Sequence, residues 1–243
     1  MYTLLKSEVG PFPEAVFPRG VDLRVEDRKA RRRLYPVTII YSVYFSILAA
    51  LSFRSGHVAA ALVAIASGIV AWTPLEYLVH RYILHGVFPK KNGVIPRALH
   101  HLFDASHADH HARPWDGMYI NGHLDTVFPA VVFFPLSFLA PYYTAPLLVA
   151  TVFQCFVVEE WTHHAIHFWS FKSRYFQYVR RRHLFHHSRH GVGRGYGMTS
   201  GIWDVVLSTR IGAAERQMLS LRSRAELDPA AVAPAPADEL AEV

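Results

Sequence analysis

The sequence predicts an all-α membrane protein with about four transmembrane helices and a histidine-rich helical cap on the cytoplasmic side. Hydrophobic residues make up 51% of the 243 residues and charged residues only 18%, which is apolar for a soluble domain. Long segments without any charge recur along the chain, and Lys and Arg collect on one side of them. Together these three observations favour membrane spans over a soluble fold.

Two uncharged segments in the first third of the chain each have the length of a membrane-crossing helix. The first runs from Leu34 to Phe53, 20 residues, which is about what the hydrocarbon core requires. A short polar break at 54–57 leads to the second, Val58 to Leu75, which continues into a polar turn that ends at His80. We therefore predict two transmembrane helices joined by a tight turn.

A third apolar segment runs from Thr126 to Val158 and contains Pro141 and Pro146. Its 33 residues are slightly fewer than the roughly 40 that two full crossings need. Either two helices use polar residues at their ends, or the segment is a re-entrant hairpin. Both alternatives return the chain to the side that it left.

The distribution of basic residues predicts the orientation in the membrane. Of the 25 Lys and Arg residues, 24 lie on one side of these spans and only Arg54 lies on the other. The positive-inside rule then places both termini and the long central loop in the cytoplasm. The same partition puts 15 of the 16 histidines on that side and leaves only His57 outside. Histidines from distant segments are thus expected to converge at one membrane face.

Composition divides the chain into three parts and excludes several kinds of site. We expect a polar, basic N-terminal segment at 1–33, a membrane domain at 34–210 and a C-terminal segment at 211–243. The C-terminal segment is expected to be disordered from about residue 225, where Pro and Ala repeat and only acidic charges occur. A single cysteine, Cys155, excludes an intramolecular disulfide framework and a cysteine-rich metal site. Because the basic residues flank apolar segments, the net charge of +6 indicates a membrane surface and no nucleic-acid partner.

Ten histidines form four clusters whose spacing suits metal binding. In chain order the patterns are HX4H, HX2HH, HX3H and HX2HH, and the residues are His80, His85, His107, His110, His111, His163, His167, His183, His186 and His187. Positions i, i+3 and i+4 share one helix face, so these patterns direct imidazoles to one place. A histidine set without thiols favours Fe, Zn, Cu or Ni over Mg or Ca. Ten ligands suit two ions with four or five each, but spacing does not divide them.

The other histidines and the nearby carboxylates are expected to play lesser roles. The histidines outside the four clusters are predicted not to be ligands: His57, His100, His101, His123, His164 and His190. Glu160 and His163 form one ExxH pattern, whereas the di-iron sites of ferritin-like bundles need two. We interpret five carboxylates as acceptors that orient imidazole N–H groups or as helix-end polar groups: Glu76, Asp116, Glu159, Glu160 and Asp204. The glycine-rich stretch 191–197 lacks the ending of a phosphate loop and is expected to be a flexible turn.

The order of the four clusters resembles the fatty acid hydroxylase/sterol desaturase superfamily, most closely its fatty acid 2-hydroxylase branch. Three further stretches match that family: Glu76 to Tyr82, His110 to Asp116, and Tyr196 to Asp204, the last followed by Ser208 and Thr209. The resemblance covers about residues 70–210.

The resemblance implies four membrane helices beneath a cap that holds two metal ions, with the ten clustered histidines as ligands. It implies a reaction in which O₂ and two electrons insert one oxygen atom into an acyl C–H bond of a lipid. The metal is expected to be iron in the working enzyme, although zinc can replace it in purified protein. The 33-residue N-terminal segment is too short for a fused cytochrome b5 domain, so we expect a separate cytochrome b5- or ferredoxin-like electron donor. This short form favours a bacterial inner membrane over the endoplasmic reticulum.

Several alternatives stay open at this point. Another member of the superfamily would hydroxylate or desaturate a sterol or a carotenoid. A metal transporter is a candidate of a different class, but transporters place their ligands near the middle of the membrane. Five phenylalanines are either walls of an acyl channel or ordinary core residues: Phe128, Phe133, Phe134, Phe153 and Phe156. The basic run Arg180–Arg182 either holds an anionic headgroup or reflects the positive-inside bias.

Overall fold

All regular structure in the described part of the chain is helical. A computed structural model describes residues 21–86, 93–100, 104–120, 134–188, 191 and 193–213. The elements are α1 (Leu23–Arg54), α2 (Val58–Leu78), a π-helix (Val79–Leu84), α3 (Val94–Leu99), α4 (Ala105–Ala112), a 3₁₀ turn (Pro135–Phe138), α5 (Ala145–Phe168), α6 (Arg174–His186) and α7 (Ile202–Val206). The predicted all-α class is confirmed.

Three helices in the described residues are long and apolar enough to cross a membrane. They are Leu23–Arg54, Val58–Leu84 and Ala145–Phe168. The first two contain the two predicted spans, and the third contains the end of the apolar segment 126–158. Residues 126–133 of that segment lie outside the described residues, so the fourth span stays a prediction.

Helix α1 is longer than the span that its apolar residues predict. Its 32 residues extend about 48 Å, compared with a hydrocarbon core of about 30 Å. The helix begins where the Asp22 side chain accepts from the N–H of Arg24 at 2.9 Å. It then runs through position 33, where we placed the end of the N-terminal segment. The additional turns carry Glu26 and Asp27, whose carboxylates lie beside Gly117 and His164 at 3.1 and 3.0 Å. The charged part of α1 therefore packs against the segment that follows α4 and against the end of α5.

Helices α2 and α5 approach each other closely because small residues line their interface. Ala61, Ala64 and Gly68 of α2 are buried, and Ala64 and Gly68 have the small-xxx-small spacing that brings membrane helices together. A Cβ on Gly68 would lie 2.7 Å from Cβ of Thr151 on α5. The contact thus leaves no room for a side chain at position 68.

An aromatic cluster packs α1 against α5. Tyr41 stacks on Phe153, with 4.6 Å between ring centroids, and makes edge contacts with Phe134 and Phe156. Tyr41 is fully buried. These three phenylalanines therefore pack around Tyr41, which supports the core role, one of the two alternatives that we considered. Phe128 and Phe133 lie outside the described residues.

His57 lies at the opposite end of α2 from the histidine clusters. It directly precedes the first residue of α2 and stacks on Tyr143 with 3.8 Å between ring centroids. The 23 residues from His57 to His80 correspond to about 35 Å of helix. The fold thus separates His57 from the ten clustered histidines, as the sequence predicts.

Candidate metal centre

A π-helix brings the first two clustered histidines together. In an α-helix, positions i and i+5 point about 140° apart, so an HX4H pair would diverge. Here α2 widens into a π-helix over Val79–Leu84, and the N–H of His85 donates to the carbonyl of His80 at 3.1 Å. The two imidazole centroids are 5.1 Å apart. Single π-turns of this kind are frequent at functional sites.

Each HX2HH pattern divides its three histidines between two groups. On α4, His107 and His111 belong to one group. His183 of α6 and His187, which directly follows that helix, belong to the other. The i+3 histidines, His110 and His186, cross to the opposite group. Positions i+3 and i+4 lie on either side of position i around a helix. Two histidines that are adjacent in the sequence can therefore face different histidine groups.

The ten histidines form two compact groups of five. Within each group the candidate ligand nitrogens all lie within 4.8 Å of one another; the first group is His80, His85, His107, His111 and His186, and the second is His110, His163, His167, His183 and His187. Six Nε2–Nε2 distances between 2.9 and 3.1 Å join members of the same group: 85–186, 85–107, 107–111, 110–163, 167–183 and 183–187. The groups include all ten predicted histidines, while their role as ligands stays a prediction.

The nitrogen spacing fits one metal ion for each group. Imidazole nitrogens bind first-row metals at about 2.1 Å, so two ligands at a right angle lie about 3.0 Å apart. The six distances above agree with that value. The donor set is entirely imidazole, which suits iron or zinc.

Backbone carbonyls fix the orientation of two rings in the first group. Nδ1 of His80 contacts the carbonyl of Tyr196, and Nδ1 of His186 contacts the carbonyl of Arg194 at 2.8 Å. Because a carbonyl only accepts, each Nδ1 carries the proton, and Nε2 of the neutral ring presents its lone pair. Nε2 of His80 is buried and has no hydrogen-bond partner among the described residues. A metal ion is a suitable partner for it.

Burial keeps the histidines of the cap neutral. It lowers the pKa of His186 to about 4, even though the Arg194 carbonyl acts in the opposite direction. For six others, burial and then repulsion between neighbouring imidazoles lower the pKa well below its usual value: His85, His107, His110, His111, His183 and His187. Neutral imidazole is the form that binds metals, so these side chains are ready to ligate at pH 7.

Two buried carboxylates hold residues 196–199, the segment that contains the Tyr196 carbonyl. Asp204 accepts from the N–H groups of Tyr196 and Gly197 at 2.9 and 3.0 Å and from the hydroxyl of Thr209 at 2.8 Å. Glu76 accepts from the N–H groups of Met198 and Thr199 and from the Thr199 hydroxyl. Contact with imidazole N–H groups was one of the two roles that we considered for these carboxylates; the hydrogen bonds above go to backbone N–H groups and threonine hydroxyls beside the site. They hold the segment 196–199, whose Tyr196 carbonyl contacts His80.

The glycine-rich stretch 191–197 contains two backbone carbonyls that contact histidines, which the sequence did not predict. Gly193 and Gly195 have φ of +83° and +73°, a conformation that favours glycine. These turns place the carbonyls of Arg194 and Tyr196 against two different histidines, so the stretch positions the site and is more than a flexible turn. The ring of Tyr196 also packs edge-on against His80, His85 and His186. The repeated glycines are the signal of such a turn, but they do not reveal its contacts.

Two of the three arginines considered for headgroup binding have structural contacts. Arg182 is 5% exposed, and its guanidinium donates to the carbonyls of Gly197 and Met198. Arg180 donates to the carbonyl of Ile166 at 3.0 Å. For Arg182 the headgroup hypothesis is wrong, because burial keeps the guanidinium away from the lipid surface.

The described histidines outside the four clusters belong to neither group. His164 is fully buried, with Nε2 3.0 Å from the Asp27 carboxylate, and Nδ1 of His100 contacts Asp104 at 2.8 Å. His101, His123 and His190 lie outside the described residues. Asp116 accepts from the N–H of Met118 at 3.0 Å. Neither Glu159 nor Glu160 belongs to the two groups, so the ExxH pattern contributes only its histidine.

Comparison with known proteins supports the relationship that the histidine clusters indicate. The model of the fatty acid hydroxylase family matches residues 65–209, more than half of the chain. The chain is 32% identical over 156 residues to the dihydroceramide fatty acyl 2-hydroxylase FAH2 of Arabidopsis thaliana, covering 61% of this chain and 60% of that protein. It is 31% identical over 153 residues to the fatty acid 2-hydroxylase of Rattus norvegicus, covering 59% of this chain and 38% of that protein.

A solved structure has a similar fold. It is described as full-length scs7p with only the hydroxylase domain visible, and it superposes with a TM-score of 0.60 at 24% identity. The match covers 72% of this chain and 66% of that one. Family model, relatives and fold agree, and the chain belongs to the fatty acid hydroxylase family.

Proposed function

We propose that this protein is an O₂-dependent di-metal hydroxylase of lipid acyl chains, with iron as its working metal. The observation that carries the proposal is the pairing of two five-histidine groups at the end of membrane-spanning helices. Each group would bind one ion, and the ten ligands would be those named above. Bound iron would supply the activation of O₂ and of the C–H bond, chemistry that side chains do not perform.

The side chains would hold the metals and exclude water. Seven of the ten histidines are at most 6% exposed, namely His80, His110, His111, His163, His183, His186 and His187. The carbonyls of Arg194 and Tyr196 would keep two Nε2 atoms directed at one ion, as such contacts do in other metal sites. A buried, neutral and oriented set of ligands needs little rearrangement when a metal binds.

The position of the groups would suit an acyl substrate. His163 lies 18 residues from Ala145, about 27 Å along α5, and His80 lies about 33 Å from Val58 along α2. Since the hydrocarbon core is about 30 Å thick, both groups would lie near its boundary. A lipid chain in the bilayer could reach them there. The names of the relatives, among them a dihydroceramide fatty acyl 2-hydroxylase, support a fatty acyl group as the substrate and carbon 2 as the site of attack.

Orientation, electron donor and compartment belong to the same proposal. The excess of basic residues on the side of the histidines supports a cytoplasmic cap and cytoplasmic termini. The two electrons would come from a separate cytochrome b5- or ferredoxin-like protein. A bacterial inner membrane stays a prediction, and the eukaryotic relatives named above lend it no support.

The test is hydroxylation by purified, iron-loaded protein in lipid nanodiscs. The reaction would contain a reductase system, ¹⁸O₂ and, in separate samples, a dihydroceramide, a free fatty acid and a sterol. We expect one ¹⁸O atom in the acyl chain at carbon 2, and no product from a His163→Ala/His167→Ala variant. A labelled sterol would favour the other branch of the superfamily. Failure to label any lipid, with both metals bound and reduced, would contradict the hydroxylase proposal.

A further inference from the structure

Helix α7, Ile202–Val206, presents an apolar face to the outside of the molecule. Ile202, Val205 and Val206 are 59%, 54% and 59% exposed, and their i, i+3, i+4 spacing places them on one face. Leu207, the next residue, is also exposed. The only charged residue of the helix, Asp204, lies on the opposite face and is 2% exposed. A strongly apolar face backed by a buried anchor is typical of a helix that contacts another apolar phase.

The depth of α7 follows from its contact with a membrane-spanning helix. The indole N–H of Trp203 donates to the Thr73 hydroxyl of α2 at 3.2 Å. Thr73 lies 16 residues from His57, at the far end of the span, which corresponds to about 24 Å along the helix. This distance is shorter than the thickness of the hydrocarbon core, about 30 Å. Thr73 also lies about 10 Å short of His80. Trp203 therefore reaches a level of α2 that lies inside the hydrocarbon layer.

We propose that α7 is embedded in the lipid leaflet on the side of the histidine groups, with its apolar face against acyl chains. Lipid is the occupant that the contacts favour, because α7 adjoins α2, whose exposed Ile69 and Val70 lie in the same span. Two exposed tyrosines on α6 support the placement of this face of the protein at the membrane. Tyr175 and Tyr178 are 51% and 47% exposed, and tyrosine is enriched at membrane interfaces. This inference depends on the membrane spans and not on the proposed hydroxylation.

The location of α7 links lipid contact to the histidine groups. Asp204, on the inner face of the helix, accepts from the N–H groups of Tyr196 and Gly197. The Tyr196 carbonyl in turn contacts His80. The helix that touches lipid on one side therefore supports a histidine-orienting segment on the other.

The test is the solvent accessibility of nitroxide labels on protein reconstituted in lipid vesicles and loaded with diamagnetic zinc. In a Cys155→Ser background, a label on Val206→Cys is compared with one on Val70→Cys of α2 and one on Lys172→Cys, an exposed position between α5 and α6. Power saturation of the electron paramagnetic resonance signal measures collisions with O₂, which partitions into lipid, and with a water-soluble nickel chelate.

We expect the ratio of O₂ to nickel accessibility at position 206 to approach that at position 70 and to exceed that at position 172 severalfold. A ratio nearer to that at position 172 would place α7 in water and overturn the proposal. If the Cys155→Ser background does not fold, Cys155 is retained and the signal of the labelled unsubstituted protein is subtracted. Neither result depends on whether the protein hydroxylates a lipid.

Discussion

His111 and His187 stack nearly face to face, with 4.1 Å between ring centroids and 18° between ring planes, yet they belong to different five-histidine groups. Their contact marks the boundary between the two groups. One ring comes from α4 and the other follows the last residue of α6. The two proposed metal ions would therefore lie close together. They would be bound by separate sets of histidines, and rings of the two sets would pack against each other.

Asp204 should matter to metal binding although it lies outside both groups. Asp204→Ala would leave the N–H groups of Tyr196 and Gly197 and the Thr209 hydroxyl without their acceptor. Lost support of this kind typically weakens metal affinity by about 10- to 100-fold, and we expect a lower melting temperature as well. Competition with a chromogenic chelator measures the affinity. Asp204→Asn retains one acceptor oxygen, so its metal affinity should lie between those of the unsubstituted protein and Asp204→Ala. An unchanged affinity in Asp204→Ala would refute the supporting role of Asp204.

The metal-free protein should lose stability as the pH falls below about 6.5. The histidines of the cap have folded pKa values below those of the unfolded chain, so the unfolded chain binds more protons in this range. Their stabilising contribution is fully present above pH 6.5 and is lost as the pH falls toward the folded values. For His186, with a pKa of about 4, the loss amounts to about 3 kcal/mol once the pH reaches 4.

Thermal unfolding of chelator-treated protein between pH 7.5 and 4.5 measures this effect. The melting temperature should decline most steeply below pH 6.5. A melting temperature that stays level or rises on acidification would mean that the histidines are not held neutral.

Gly68 should be essential for packing between α2 and α5. Gly68→Val would add a branched side chain where even Cβ lies 2.7 Å from Cβ of Thr151. Overpacking of this kind costs about 1–3 kcal/mol, and the melting temperature should fall accordingly. Ala66→Val, at an exposed position of the same helix, is the matched control and should have little effect. Equal effects of the two substitutions would argue against the close contact.

The sequence predicts the elements that depend on composition and on short spacing. Uncharged runs predict the apolar parts of the three long helices, because crossing a membrane requires about 20 apolar residues. The four histidine patterns predict the ten residues that come together. Charge patterning alone did not predict that α1 begins at Leu23, because the basic residues up to Arg33 are compatible with either a helix or a polar tail.

Other features of the site depend on contacts between distant residues. Helix spacing places His110 and His111 on adjacent faces, but only the tertiary fold shows that His110 joins His163 and His167 while His111 joins His80 and His85. The π-helix that unites His80 and His85 has no signature in the spacing itself. Glu76 is 122 residues from Met198, so its role in holding the segment beside the site is visible only in the fold.

The metal content of two paired variants, measured beside the unsubstituted protein, tests the two-group metal centre most directly. Mass spectrometry of detergent-purified, iron-supplemented protein should find about two ions per chain. His80→Ala/His85→Ala removes two ligands of the first group, and His163→Ala/His167→Ala removes two of the second. We predict that each variant retains about one ion, and that the combination of all four substitutions retains none. Two ions in either paired variant, or none in a folded unsubstituted protein, would contradict the two-group metal centre.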